Sequence, residues 1–193
     1  MRVISGRFRG RRLKGPDGTD LRPTGDRLKE TLFNILAPVV PAAVVLDVFG
    51  GTGAIGIEAL SRGAKHVAFI EISPPAQRLI LQNLKVCGIE GGFQIIRQDV
   101  FAALRMLARK GFKANIIYFD PPYDFEPYQD LLMLTFKRGL VHKSGRVIIE
   151  HHRKARIPEE GDGYRRARVV RQGDQVLSFF EEPRPKDETA SGH

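Results

Sequence analysis

The sequence predicts an α/β fold, a mainly parallel sheet covered on both faces by helices. Three features carry the prediction. Strand-like and helix-like stretches alternate from Ala43 to Glu150, and a glycine-rich turn follows the first strand. The last two β-rich runs, Ala167 to Val170 and Val176 to Phe180, are separated only by Arg171–Gln175 and read as a closing antiparallel hairpin. At 193 residues the chain can bury a sizeable core without a disulfide or metal staple.

The elements follow in chain order. Val3-Ile4 and Leu13 flank a glycine-rich stretch and are expected to pair as a small hairpin, with Pro16-Asp17-Gly18 as the turn leaving it. Thr24 is a candidate N-cap for a helix running to about Ala37 and stopped by Pro38. Leu28, Leu32, Ile35 and Leu36 repeat at helical spacing, so this helix packs on something. Ala43 to Phe49 reads as a strand, residues 53–62 as a helix and His66 to Ile70 as a strand. Pro74 to Cys87 is a helix ended by Gly88, Phe93 to Arg97 a strand and Val100 to Arg109 a helix. Ile116 to Phe119 is a strand, Tyr128 to Lys137 a helix and Val147 to Glu150 a strand. Glu181 to His193 is polar and reads as a frayed end. The expected organisation is a basic arm and helix over residues 1–38, an α/β domain over 39–182 and a disordered tail over 183–193.

Charge narrows the partners. Thirty-one Lys and Arg against 22 Asp and Glu give a net charge of +9, which points to a polyanion. Arg2, Arg7, Arg9, Arg11, Arg12 and Lys14 crowd the arm, interleaved with Phe8 and glycines that allow close approach to phosphates. A second basic cluster comprises Arg153, Lys154, Arg156, Arg165, Arg166 and Arg168. Cys87 is the sole cysteine, which rules out an intrachain disulfide and a cysteine-based zinc cluster. The adjacent His151 and His152 point to opposite faces of an extended chain and make a poor metal pair, so no metal is expected. The longest apolar run, Ala37 to Leu46, is half the ~20 residues a membrane span needs, and no membrane association is expected. A cytoplasmic setting follows as the expectation.

The strongest local motif is Asp47-Val-Phe-Gly50-Gly51-Thr-Gly53-Ala-Ile-Gly56. Gly51, Gly53 and Gly56 fit the G-x-G-x-x-G pattern, and Glu71 stands twenty residues on, where an acid would grip ribose hydroxyls. Taken alone, this suits NAD nearly as well as any other adenosine cofactor. Asp47 shifts the balance, because a carboxylate at the strand end repels a pyrophosphate on the helix N-terminus. A cofactor with a cationic amino-acid end tolerates or prefers it, and S-adenosylmethionine is one. Asp99, after the third strand, is then a candidate acceptor for an adenine amino group.

The second motif is Asp120-Pro121-Pro122-Tyr123, entered from an apolar strand. The prolines fix φ and remove two donors, leaving a stiff rim of acceptors beside an aromatic plane. Such a rim suits a flat base with an exocyclic amine. Asp120 and the Pro121 carbonyl would take its two N–H bonds while Tyr123 stacks on the ring.

The whole chain resembles class I, Rossmann-like methyltransferases that use S-adenosylmethionine and act on exocyclic amines. More closely it resembles the bacterial RsmD family, which methylates N2 of a guanine in small-subunit (16S) ribosomal RNA. The most family-specific parts are Arg2 to Leu13 and Leu21-Arg22-Pro23-Thr24 to Leu36. Asp47 to Ala64, Asp120 to Tyr123 and Gly173-Asp174 also match. The resemblance implies a seven-stranded sheet with an antiparallel C-terminal hairpin. It implies that Asp47, Phe49, Gly51 and Gly53 surround the methionine end of the cofactor, that Glu71 and Ile72 meet the ribose side, and that Asp99 and Val100 meet the adenine. Asp120 to Tyr123 would form the target-amine site, with Asp120 also beside the cofactor. Arg22 and Thr24 would close over the cofactor, and Arg27 would join the arm arginines on RNA. The implied partner is ribosomal RNA or an assembling small subunit, bound by a monomer. An adenine-N6 methyltransferase, a nicotinamide dehydrogenase and a non-catalytic RNA-binding assembly factor are the competing readings. After Glu71 the chain has Ile72-Ser73-Pro74-Pro75 where the family commonly has a charged pair.

Overall fold

A computed structural model describes residues 1–16 and 23–183, with the side chains of Pro23 and Thr24 outside that description. Asp17, Gly18, Arg22, the Thr24 cap and the tail beyond residue 183 therefore lie outside the described residues. The elements run α1 (Pro23–Leu36), β1 (Val44–Val48), α2 (Ala54–Ser61), β2 (His66–Ile70), α3 (Pro74–Cys87) and β3 (Phe93–Ile96). They continue α4 (Val100–Arg109), β4 (Ala114–Phe119), α5 (Tyr128–Lys137), β5 (Val141–His152), β6 (Glu160–Gly161), β7 (Tyr164–Gln172) and β8 (Gln175–Glu181). The sheet order is β3-β2-β1-β4-β5-β8-β7-β6. The first five of these strands pair parallel, and β8, β7 and β6 are antiparallel.

The expected α/β sheet and closing hairpin are present, with differences at their edges: β4 starts at Ala114 rather than Ile116, and β7 runs from Tyr164 to Gln172 rather than from Ala167 to Val170. The two-residue β6 adds an eighth strand at the edge, too short to leave a periodic signal. β5 starts at Val141 rather than Val147, because the polar stretch His142–Ser144 is carried past a bulge opposite Ala114–Ile116. β8 takes in Glu181, whose carboxylate meets Arg165 of β7 at 2.5 Å, so the chain stays in the sheet one residue further than its polarity suggests.

The central strands are buried on both faces, as parallel strands between helix layers must be. Val45, Val67, Phe69, Ile116, Tyr118, Ile148 and Leu177 pack against α1, α2 and α3. Leu46, Val48, Ile70, Ile117, Phe119 and Ile149 pack against α4 and α5. Cys87 is buried in the first of these cores. Gly56 lets α2 lie close on the sheet, since a Cβ there would sit 2.3 Å from the Phe69 ring. Gly56→Ala is expected to cost about 1–3 kcal/mol in overpacking. Thermal unfolding measures it, and an unchanged melting temperature would mean that α2 lifts off freely.

The basic arm is docked. Arg2 and Arg12 form a bridge, and Val3 and Leu13 enter the same core as α1 to α3. Gly6 adopts φ 85° against α2, where a Cβ would fall 1.9 Å from the Ser61 carbonyl oxygen. Glu58, fully buried in α2, accepts from the Ile4 and Ser5 amides at 2.8 and 3.0 Å. Lys29 of α1 donates to the Arg2 carbonyl at 2.6 Å and lies 3.6 Å from the same carboxylate. Among the described residues no helix is long and apolar enough to cross a membrane.

Candidate active site

A cavity of about 260 Å³ opens at the C-terminal ends of β1, β4 and β5, where a parallel sheet places its ligands. Asp47, Phe49, Gly50 and Gly51 form one wall, and Tyr118, Asp120 and Glu150 another. Gly25, Leu28, Lys29 and Leu32 of α1 close the side.

Strand register builds this geometry. Asp47 pairs with Tyr118 across β1 and β4, and Tyr118 with Ile148 across β4 and β5. Paired residues share a face, and so do residues two apart along a strand. Asp47, Tyr118, Asp120 and Glu150 therefore all project toward the α1 side.

Asp47 is 2% exposed and its Oδ2 accepts from the Gly56 amide at 2.9 Å. It thus caps α2 from a distance, because the residue at the helix N-cap, Gly53 (φ 75°), has no side chain to offer. Loss of water around the carboxyl pushes its pKa up to about 7, opposed by the Gly56 hydrogen bond and reinforced by Glu71. Phe49 sits at φ 61°, a strained backbone for a non-glycine, and its ring meets Phe125 edge-on at 5.4 Å.

Glu71 is buried and bonded to backbone. It accepts from Gly51 at 2.9 Å and from Ser73 at 2.8 Å, so it fixes the glycine loop to its own turn. Ile72 beside it is 65% exposed. Asp99 caps α4, its Oδ1 accepting from the Phe101 and Ala102 amides at 3.0 and 3.1 Å, while Val100 is buried under that turn. The cavity takes in Asp47, Phe49, Gly51 and Asp120 among the expected residues. Gly53, Glu71, Ile72, Asp99, Val100, Pro121, Pro122 and Tyr123 are not in its wall.

Asp120 keeps an accessible face toward the cleft, and its amide donates to the Val48 carbonyl at 3.3 Å. Its carboxyl is held well above the ordinary range by crowding from protein, then by Glu150 and Asp47. Water reaches the accessible face, so the direction stands mainly on those two like charges. Tyr123 is 78% exposed, and its ring meets His152 edge-on at 5.3 Å. His151 points the other way and bonds Ser178 through Nε2 at 2.9 Å.

Tyr118, Glu150 and Lys29 are the titratable lining residues missed by motif reading. A signal existed for two of them: Ile148-Ile149-Glu150 repeats the apolar-apolar-acid ending of Tyr118-Phe119-Asp120 on what becomes the neighbouring strand.

The basic residues separate into two groups. Arg2, Arg7, Arg9, Arg11, Arg12 and Arg27 are exposed. In the second cluster, Arg153 pairs with Asp174 at 2.6 Å, Arg165 with Glu181, and Arg166 with Glu159. Much of that charge is already neutralised within the hairpin.

This sheet order, with the acid-ended glycine loop and the Asp120 that opens Asp-Pro-Pro-Tyr meeting in one cleft, defines a Rossmann-like methyltransferase, a class whose methyl donor is S-adenosylmethionine. A family model described as Conserved hypothetical protein 95 matches residues 1–181, and the chain belongs to that family, the RsmD family its motifs resemble. Bacillus subtilis (strain 168) YlbH is 38% identical over 159 residues, 82% of this chain and 86% of that protein. Ribosomal RNA small subunit methyltransferase D of Escherichia coli (strain K12) is 36% identical over 158 residues, 82% of this chain and 78% of that protein. The solved structure of yhhF from Escherichia coli superposes with a TM-score of 0.81 at 32% identity, covering 94% of this chain and 97% of that one.

Proposed function

We propose that this protein transfers a methyl group from S-adenosylmethionine to the exocyclic N2 amine of a guanine in small-subunit ribosomal RNA. The observation that carries the reading is the meeting of Asp47 and Asp120 in one cleft at the strand ends. The substrate class rests on the named Escherichia coli relative and on the exposed arginines of the docked arm.

The residues fit the cofactor. Asp47 is a buried carboxylate with no cation bonded to it among the described residues, and a sulfonium with an ammonium group supplies one. The same carboxylate already takes the Gly56 amide, where a pyrophosphate would have to sit, so the site disfavours a dinucleotide. By the family resemblance, Glu71 and Ile72 would meet the ribose side and Asp99 with Val100 the adenine. The cofactor supplies an electrophilic methyl on a positively charged sulfur. The chain supplies position. Asp120 and the Pro121 carbonyl accept the two N–H bonds of the amine and aim its lone pair, and Tyr123 offers its exposed ring to the base. As the new N–C bond forms, the amine sheds one proton, and Asp120, whose proton affinity is raised, can take it.

The deciding experiment is methyl transfer from labelled S-adenosylmethionine to ribosomal RNA, assembling small subunits and DNA, followed by nucleoside identification. N2-methylguanosine from the ribosomal substrates supports the reading. Methyladenine would replace it with an adenine-N6 activity, and tight RNA and cofactor binding without product would make the protein an assembly factor.

Asp47 also gives the cofactor a pH dependence. Its carboxyl titrates near 7, so it is mostly neutral at pH 6 and mostly ionised at pH 7.5. A cationic cofactor binds the ionised form, so affinity should tighten several-fold over that interval, with the onset of α-amino deprotonation at its upper end opposing the rise. Calorimetry at both pH values reads it, with Asp47→Asn expected to flatten the profile. Equal affinities in the wild type would remove Asp47 from cofactor binding.

A further inference from the structure

Glu150 is the acid in the cleft that the reading above leaves without a task. Phe119 and Ile149 pair in parallel register, so the next residues, Asp120 and Glu150, stand side by side on neighbouring strands. Both line the cavity. Tyr118, fully buried two residues before Asp120, donates its hydroxyl to Glu150 Oε2. No lysine or arginine pairs with Glu150 among the described residues. One carboxylate oxygen is therefore tied to a fixed donor, and the other is an acceptor next to the target-amine site.

We propose that Glu150 selects guanine by accepting the N1–H of the target base while Asp120 holds the adjacent N2 amine. The proposal rests on the guanine-N2 reading. Guanine presents a ring N–H donor next to its exocyclic amine, whereas adenine presents a bare ring nitrogen next to its own. A carboxylate in that position attracts the first and repels the second, and a buried polar group left unpaired by the wrong base gives the discrimination its size. Tyr118 sets the direction by occupying Oε2. Two like-charged carboxylates crowded together favour uptake of a proton, with dehydration raising Glu150 against the pull of the Tyr118 bond. Guanine answers the same need with its N1–H and N2–H.

The test uses two synthetic RNAs that differ only at the target base, guanine or 2-aminopurine. The second keeps the 2-amino group and lacks the N1–H. The wild type should favour guanine by about ten- to a hundredfold in kcat/KM. In Glu150→Gln the amide oxygen stays with the Tyr118 hydroxyl, so its NH2 faces the base. Guanine use should then fall about tenfold or more, the two RNAs should converge to within about threefold, and cofactor affinity should stay unchanged. Tyr118→Phe removes only the positioning hydroxyl and should give an intermediate ratio, which also decides the matter if Glu150→Gln does not fold. A wild-type ratio in both variants overturns the proposal. Equal loss on both RNAs in Glu150→Gln also overturns it, in favour of a proton-accepting role. If the wild type methylates no guanine at all, the guanine-N2 reading itself fails and the proposal falls with it.

Discussion

Asp120→Ala is expected to bind S-adenosylmethionine normally and to lose about 10²–10³-fold in methyl transfer. An aryl amine is a weak nucleophile because its lone pair is delocalised into the ring. Something must hold both N–H bonds out of the line of attack, and in the proposed site the Asp120 carboxylate is the side-chain half of that pair of acceptors. Its partner, the Pro121 carbonyl, is main chain and survives the substitution. Asp47 and the glycine loop, proposed to hold the cofactor from the end of the neighbouring β1, keep their own side chain and backbone in this variant, so binding should stay within about threefold of wild type. Single-turnover methylation and equilibrium cofactor binding, measured on the same preparation, separate the two effects. Wild-type turnover would remove Asp120 from the reaction, and loss of both together would place it in cofactor binding.

Glu58→Ala is expected to destabilise the protein by about 3–5 kcal/mol. Glu58 is fully buried; its two oxygens accept from three donors, the Ile4 and Ser5 amides and Arg62 at 2.8 Å, and lie 3.6 Å from the Lys29 ammonium. Removing it strands two amides and leaves Lys29, whose ammonium is already disfavoured by burial, without its principal counter-charge. The loss should be local as well as global. The arm loses two of its hydrogen bonds to α2, so brief proteolysis should clip it near Gly6 while the sheet stays protected. Chemical denaturation and timed digestion read the two effects. A stable variant with a protected arm would mean that the core packing of Val3 and Leu13 and the Ser61, Lys29 and Asn83 contacts hold it without Glu58.

The arm links to the cofactor loop through one side chain. Asn83 of α3 accepts from the Lys14 amide at 2.7 Å and donates to the Lys14 and Thr52 carbonyls at 3.0 and 2.9 Å. The residue that orders the end of the basic arm thus also touches the glycine loop. Nothing in the local pattern around Asn83 marks it, because it reads as a polar position in an ordinary amphipathic helix.

Several expected residues proved to have backbone partners first. Asp47 caps α2, Glu71 pins the glycine loop and Asp99 caps α4. These bonds build the shape of the loop that a cofactor would meet, and they explain why acids stand at the ends of β1, β2 and β3. The motif reading assigns these acids to ligand contacts, and the bonds they make in the structure are to their own scaffold.

What the sequence determined by itself is whatever local chemistry specifies. The pattern of apolar residues set these elements, and the strand His66–Ile70 and the helices Pro74–Cys87, Val100–Arg109 and Tyr128–Lys137 stand as expected from it. Turn-forming glycines after an apolar strand set the loop at Gly51 and Gly53, and the prolines at 121 and 122 set a stiff rim. What only the tertiary structure decided is which distant residues meet. Strand order and register bring Glu150 beside Asp120, and the packing of α2 places Glu58 under the arm. Those pairings are separated by 30 or more residues and depend on how whole strands align. A one-residue slip would send every side chain to the other face, and no local run of residues encodes that choice.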